Sequence, residues 1–427
     1  MKYIYQISKT ILILSLMMFS VSQVSAQCGQ RYHDKIFLDS SVTNIQYGAN
    51  LKSNGTNQNL LLDMYFPKGD NLTDRPLIII IHGGNFLGGS KAGSDVKPLA
   101  QDWARMGYVV ASIEYRVGMT NFPLPGPDST DAGAAVMRAV HDSRASVRFF
   151  KNSFANGNPY GIDTSLIFFG GVSAGAITAL HLGYMDELPE FPSYIDTVGQ
   201  PGLSGGIEGS SNSYPYNSKV KAIFNICGAI GDTAWMKAGD VPVLSFHGDL
   251  DATVPFGSDV ITLLGLYPLL EVDGSESVTQ RANEMGIENC FEIHEGQDHT
   301  PHVVGSLTTQ YYDTTLNISR NFFARYVCNE ALVCSYGPTI TSVMDVEQVQ
   351  NMISVYPNPA TNLAEIILHE YRNGSELSMY DMHGKLILSQ TVTSSKITIP
   401  RNNLPAGIYF VKVSDGEKTQ TAKLVFE

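Results

Sequence analysis

Basic residues are in short supply: 28 Lys and Arg against 41 Asp and Glu leave a formal net charge of −13. A surface of this sign argues against a nucleic-acid partner, which needs a basic face to neutralise phosphates. Cysteine is also sparse, with five in 427 residues, and no CxxC pair or His/Cys cluster suggests a structural zinc site. Beyond the N-terminus no run approaches the roughly 20 apolar residues of a membrane helix, so the mature chain is expected to have no transmembrane segment. No repeat pattern for a propeller and no separate peptide-gating domain is visible, which counts against a serine peptidase.

What is present begins with a leader. Lys2 and Lys9 precede an apolar run from Ile11 to Phe19 and a Val24-Ser25-Ala26 exit, so residues 1–26 read as a cleaved signal peptide. Its two lysines and no acids take the net charge from −13 to −15 on removal. Gln27 stands before Cys28 where lipoprotein signals want a small residue, which argues against a lipid anchor. Cys28, Cys227, Cys290, Cys328 and Cys334 all enter an oxidising setting, where one thiol must remain unpaired. Cys328 and Cys334 are close enough to bridge a small loop.

Residues 28–75 alternate short apolar stretches with turn-formers and read as a β-meander. The run Leu77 to Ile81 suits a strand buried on both faces. Helical spacing at Val96 to Met106, a strand at Tyr108 to Ile113, a helix at Asp131 to Asn152, a strand at Ser165 to Phe169 and a helix after Ser173 follow. This alternation predicts a largely parallel α/β sheet. Residues 186–218, rich in glycine, proline, serine and tyrosine, read as an insertion that serves as a lid, a binding rim or a plain surface excursion. The α/β rhythm then resumes: strands at Val220 to Ile226, Val241 to Phe246 and Phe291 to Ile293, a helical region between Gly257 and Met285, and a helix from Ser306 to about Val327. Residues 329–352 act as a linker, and six short alternating strands from Ile353 onward predict a small β-sandwich.

Chemistry concentrates at strand ends. Gly171-Val172-Ser173-Ala174-Gly175 has the GxSxG form of a nucleophile elbow between a strand and a helix. A serine needs a base, an orienting carboxylate and oxyanion donors before it attacks a carbonyl near neutral pH. His82-Gly83-Gly84-Asn85-Phe86 follows the first buried strand, and Gly84 and Asn85 are expected to donate N–H groups together with Ala174. His82 is expected to hold that loop rather than act as base. After Phe246, the segment His247 to Pro255 offers Asp249 and Asp251, of which Asp251 is favoured. Beyond Ile293, His299 is favoured as base over His302, with His294 placed within the strand.

The order Ser173, Asp251, His299 resembles that of the α/β-hydrolase superfamily. Residues from about 30 to 328 resemble a secreted carboxylesterase or lipase-like α/β-hydrolase. The HGGNF turn, the Glu114-Tyr115-Arg116 strand end and GVSAG are similar to the esterase branches that carry HGGG and GxSAG. Asn85 departs from them, where a third glycine is usual, and its side chain narrows the expected acyl pocket. The HGDxDxxVP segment is shared by feruloyl, acetyl-xylan and polyester-degrading esterases. Val355 to Ala360, Met379 to Lys385 and Leu404 to Tyr409 resemble the C-terminal sorting domain of type IX secretion. That resemblance implies an immunoglobulin-like sandwich, handling by the type IX machinery, and release or attachment at the cell surface. It also removes Asp381 and His383 from the catalytic candidates.

The expectation is thus a signal peptide over 1–26, an α/β-hydrolase domain over 27–328, a linker over 329–352 and a sorting domain over 353–427. The expected activity is ester hydrolysis through an acyl-enzyme, without a cofactor, on a small-molecule or polymer-borne ester. Alternatives are a feruloyl or acetyl-xylan type of polysaccharide esterase, a lipase or polyester hydrolase, and a non-catalytic adhesion or carbohydrate-binding protein. Phe86, Tyr115, Tyr214, Tyr216 and Trp235 are candidates to line the pocket.

Overall fold

The computed structural model describes residues 28–305, 307–335, 353–368, 374–382, 384–402, 404–414 and 419–427. The expected signal peptide, most of the expected linker and His383 lie outside the described residues. By internal contact the chain forms two units that divide between residues 339 and 340.

The first unit opens with β1 (Leu38–Leu51) and β2 (Asn57–Lys68), an antiparallel pair. Next come β3 (Arg75–Ile81), α1 (Lys97–Arg105), β4 (Val109–Ile113), α2 (Ser129–Ala155), β5 (Ile162–Val172) and α3 (Ala174–Tyr184). The chain continues through β6 (Ala222–Ile226), β7 (Ala229–Ile230), β8 (Val243–Gly248), β9 (Ser258–Leu263) and β10 (Tyr267–Gly274). It ends with α4 (Ser275–Met285), β11 (Asn289–His294), the short β12 (Val303–Val304) and β13 (Leu307–Thr308), and α5 (Gln310–Val327).

Eight strands make one sheet in the order β1-β2-β4-β3-β5-β6-β8-β11, parallel from β4 to β11. Strand β3 shows why the sheet sits in the middle. Leu77, Ile79 and Ile81 enter the core under α2 and α3, whereas Ile78 and Ile80 enter the core under α1 and α5. All five are fully buried, and each contributes about 1.5–3 kcal/mol of burial. This is an α/β-hydrolase fold, with the C-terminal ends of the parallel strands gathering the polar loops on one edge.

Three expectations are corrected. The stretch from Gly257 to Met285 is helical only in α4; before it, β9 and β10 pair antiparallel around a turn at Gly265, whose φ is +67°. Pro268, which lacks a backbone N–H, sits at a register shift in that hairpin, where a helix would have been broken. Cys328 and Cys334 do not bridge each other: Cys28 pairs with Cys328 and Cys290 with Cys334. Cys328 caps α5 against the N-terminal segment, while the chain beyond it returns to β11. Cys227 is the free thiol. Cys28, being disulfide-bonded, offers no thiol to a lipid. The last helix starts at Gln310 rather than Ser306, because the Thr309 side chain accepts the Tyr311 N–H as its cap.

The second unit has seven described strands, one more than expected, in two antiparallel sheets. One holds β14 (Ile353–Tyr356), β15 (Leu363–Leu368) and β18 (Lys396–Pro400). The other holds β16 (Glu376–Tyr380), β17 (Leu386–Thr391), β19 (Gly407–Ser414) and β20 (Thr419–Phe426). Alternating residues such as Ile366, Leu377, Val411 and Leu424 fill a shared core between them. Asp381 closes a turn by accepting the Lys385 N–H at 3.0 Å. No helix among the described residues is long and apolar enough to cross a membrane.

Candidate active site

Strand β5 ends in Val172, and α3 begins at Ala174, so Ser173 must turn the chain alone. Its φ of 56° and ψ of −118° lie where side chains other than glycine rarely sit, a conformation that costs about 1–3 kcal/mol. The flanking glycines make the turn possible: a Cβ on Gly175 would strike the carbonyls of Ile81 and His82, and one on Gly171 would strike Ile81 and Gly175. The Ser173 N–H is fixed by the Ile226 carbonyl at 2.8 Å.

The loops after β8 and β11 converge on this turn. His299 Nε2 lies 2.8 Å from Ser173 Oγ, and His299 Nδ1 lies 2.6 Å from Asp251 Oδ2. Because a carboxylate only accepts, Nδ1 carries the proton and Nε2 faces the serine as acceptor. The other oxygen of Asp251 takes the N–H groups of Thr253 and Val254 at 2.8 and 2.9 Å. Burial pushes the Asp251 carboxyl upward, but the hydrogen bonds from His247, His299 and Val254 win and hold it well below the usual carboxylate range.

The competitors have other partners. Asp249 accepts the Gly296 N–H at 2.5 Å and ties the acid loop to the base loop. His302 places Nε2 3.2 Å from the Asp95 carbonyl. His294 is buried against Phe246 and Tyr311, and burial lowers its pKa to about 4. His82 sets Nδ1 2.7 Å from the Gly83 carbonyl and stacks on Tyr115 at 4.5 Å, so it stiffens the turn after β3.

That turn faces the serine. A Cβ on Gly83 would stand 3.2 Å from the Ser173 Cβ, and the Gly83 N–H is taken by Asp95 Oδ2 at 2.8 Å. Gly84, Asn85 and Phe86 all have positive φ, and the N–H groups of Gly84 and Asn85 have no acceptor among the described residues. Ala174 is the first residue of α3, whose N–H has no acceptor within the helix.

Sequence reasoning missed several neighbours. His247, fully buried, brings Nε2 to 3.2 Å from Asp251 Oδ2, with Nδ1 2.6 Å from Ser275 Oγ. Asp298 accepts both its neighbour's N–H, from His299 at 2.7 Å, and that of Ala252 at 2.9 Å. Both flank motifs already singled out, yet their roles depend on loops distant in sequence. Cys227 is buried, and burial lifts its thiol to about 12.

Three clusters among the described residues bring His, Cys, Asp or Glu donors within 4.8 Å of one another. In each cluster at least one donor has another partner: Cys328 is in a disulfide, Asp251 is bonded to His299, and Lys237 contacts Asp186, Glu187 and Glu190.

A cavity of about 450 Å³ opens at Ser173. Its walls are mainly apolar, with Phe86, Met119, Ile177, Phe191, Trp235 and Leu263 among them. Tyr115, Tyr214 and Tyr216 are not on the wall; Tyr115 lies buried beneath His82. The insertion 186–218 supplies one wall through Pro189 to Ile195. Its later part is tied to α2: Arg138 donates to the Pro201 carbonyl, Arg144 to Ser218, and Arg148 to Glu208 and Asn212.

Residues 62–233 match the BD-FAE family, and residues 354–427 match the family described as secretion system C-terminal sorting domain. The chain therefore carries an esterase-family domain and a type IX sorting domain, and is directed to the outside or the surface of the cell. Gut esterase 1 of Caenorhabditis elegans is 29% identical over 107 residues, which is 25% of this chain and 18% of that protein. The chain thus spans under a fifth of the curated relative it matches. Among solved structures, Thermogutta terrifontis esterase 2 phosphoramylated by tabun is 20% identical with a TM-score of 0.47, covering 67% of this chain and 94% of that one. A truncated form of a carbohydrate esterase from gut microbiota is 21% identical; the alignment covers 70% of this chain and 99% of that one. Its TM-score is 0.45.

Proposed function

We propose that this chain is an exported serine carboxylic-ester hydrolase. The observation that carries the reading is the hydrogen-bond chain from Ser173 Oγ through His299 to Asp251, at 2.8 and 2.6 Å, on a sharp strand-to-helix turn. The match of residues 62–233 to an esterase family supports the same class.

Ser173 Oγ attacks the ester carbonyl carbon while His299 Nε2 takes its proton. Asp251 accepts from Nδ1–H and stabilises the imidazolium that forms. The N–H groups of Gly84, Asn85 and Ala174 receive the oxyanion. Collapse of the tetrahedral intermediate breaks the bond to the alcohol, which leaves with the proton from His299. Water then repeats the sequence on the acyl-enzyme and releases the acid and the free serine.

The apolar cavity favours an ester with a group larger than acetyl, as in feruloyl-type or longer-chain esters. Residues 27–328 form the catalytic part of this reading, 329–352 the linker, and 353–427 the element that the type IX machinery recognises. The non-catalytic binding alternative is disfavoured because all parts of a serine-hydrolase site stand within reach of one another. Replacement of Ser173 by Ala is expected to lower kcat/KM on a short acyl ester by roughly 10³-fold or more; full retention of activity would overturn the proposal.

A further inference from the structure

Within the apolar cavity one wall residue offers an uncommitted hydrogen-bond acceptor. His181 sits on α3, is 93% buried, and lines the cavity. Its Nδ1 lies 2.8 Å from the Ile177 carbonyl. A carbonyl only accepts, so Nδ1 holds the proton. Burial lowers the pKa of this ring to about 4, leaving it neutral near pH 7 with a bare lone pair on Nε2.

No described residue hydrogen-bonds that nitrogen. The cavity reaches it, because Gly231 also lines the cavity and a Cβ on Gly231 would stand 3.3 Å from His181 Nε2. Trp235 holds the ring edge-on, with centroids 5.4 Å apart at 69°. Ser173, Ile177, His181 and Met185 follow at intervals of four and line the cavity together. A ligand lying along α3 from Ser173 meets His181 after about 12 Å, eight residues at the helical rise.

We propose that His181 Nε2 is a recognition point for a hydroxyl carried by the apolar group of the ester, either at the end of an alkyl chain or on an aromatic ring. A wholly apolar group would cover this acceptor and strip it of water without replacement. A group with a correctly placed hydroxyl restores the bond. The proposal takes its ester class from the reading of Ser173 above, but the acceptor stands on its own geometry.

The test is equilibrium binding of methyl esters to Ser173→Ala protein, followed by fluorescence of the cavity residue Trp235. Two matched pairs are compared: 3-(4-hydroxyphenyl)propanoate with 3-phenylpropanoate, and 10-hydroxydecanoate with decanoate. The hydroxylated member of one pair is expected to bind roughly five- to tenfold more tightly, although the hydroxyl makes it less apolar. Which pair discriminates identifies the aryl or the alkyl source. Added His181→Phe is expected to bring the ratio to about one, and His181→Gln, whose amide oxygen accepts, to keep part of it. Equal affinities within both pairs, no binding of any of the four, or a preference that survives His181→Phe overturns the proposal. A native chain that cleaves no ester would sink the serine-hydrolase reading and leave this ratio to be judged separately.

Discussion

Asp298 accepts the backbone N–H of Ala252 at 2.9 Å and so joins the loop of the base to the loop of the acid. The same oxygen takes the N–H of His299 at 2.7 Å, one residue on. This carboxylate, alongside the bond from the Gly296 N–H to Asp249, therefore helps to set where the imidazole stands relative to Asp251. Loss of it in Asp298→Ala is expected to lower kcat by about 10–100-fold with KM little changed, since small misplacements of a reacting group have effects of that size. Asp298→Asn, which keeps an accepting oxygen, should recover most of the rate. Steady-state kinetics on one short ester decides it; an unaltered kcat in the alanine variant counts against the role.

Acid sensitivity should come first from buried histidines. Burial lowers His141 to about 3 and His294 to about 4, with the guanidinium groups of Arg116 and Arg144 adding to the effect at His141. In the unfolded chain both titrate near an ordinary value of about 6.5, so between these values the unfolded state binds more protons. Stability is therefore full above about pH 6.5 and falls as the pH drops toward 4, by up to about 1.4 kcal/mol per pH unit for each group. Asp251 titrates below this window. Urea unfolding at pH 7, 6 and 5 measures the slope, and a flat profile contradicts the account.

Cys227 is expected to resist alkylation. Its thiol is raised to about 12 by burial, and the thiolate is the reactive form. Iodoacetamide at pH 8 should leave the folded protein unmodified and add one group per chain after unfolding without reductant, because the other four cysteines are paired. Rapid labelling of the folded state would show that the thiol is accessible.

Asp142 and Arg116 form a fully buried ion pair at 2.8 Å. Arg116 also donates to the carbonyls of Leu51 and Gly202, and Asp142 accepts from Ser211, so the pair fastens the insertion to the sheet. Asp142→Ala leaves a buried guanidinium without its counter-charge and is expected to cost about 3–5 kcal/mol in chemical denaturation. A change below about 1 kcal/mol would mean that the pair is dispensable.

Local features were the legible ones. The sheet could be read because Leu77–Ile81 of β3 and Leu166–Phe169 of β5 are unbroken apolar runs with a glycine within the next two residues, and the elbow because its two glycines permit a contact that any Cβ would block. Ser173, Asp251 and His299 each stood at such a strand end before any geometry was known. The hairpin β9–β10 was less visible, since a leucine-rich stretch carries similar apolar content in either conformation and only Gly265 and Pro268 argue for strands. The pairing of Cys28 with Cys328, 300 residues apart, is settled by where α5 packs and not by spacing. His247 meets Ser275, Asp298 the Ala252 N–H, and His181 the Trp235 ring only when separate elements come together, so their own neighbourhoods do not reveal these roles.

The central claim is that Ser173 is the nucleophile. Treatment with a fluorophosphonate followed by peptide mass spectrometry tests it directly. A single adduct on Ser173, formed in parallel with loss of esterase activity and absent in His299→Ala, is the predicted result. Turnover that persists while Ser173 stays unmodified, or an adduct on another residue that tracks the loss of activity, contradicts it.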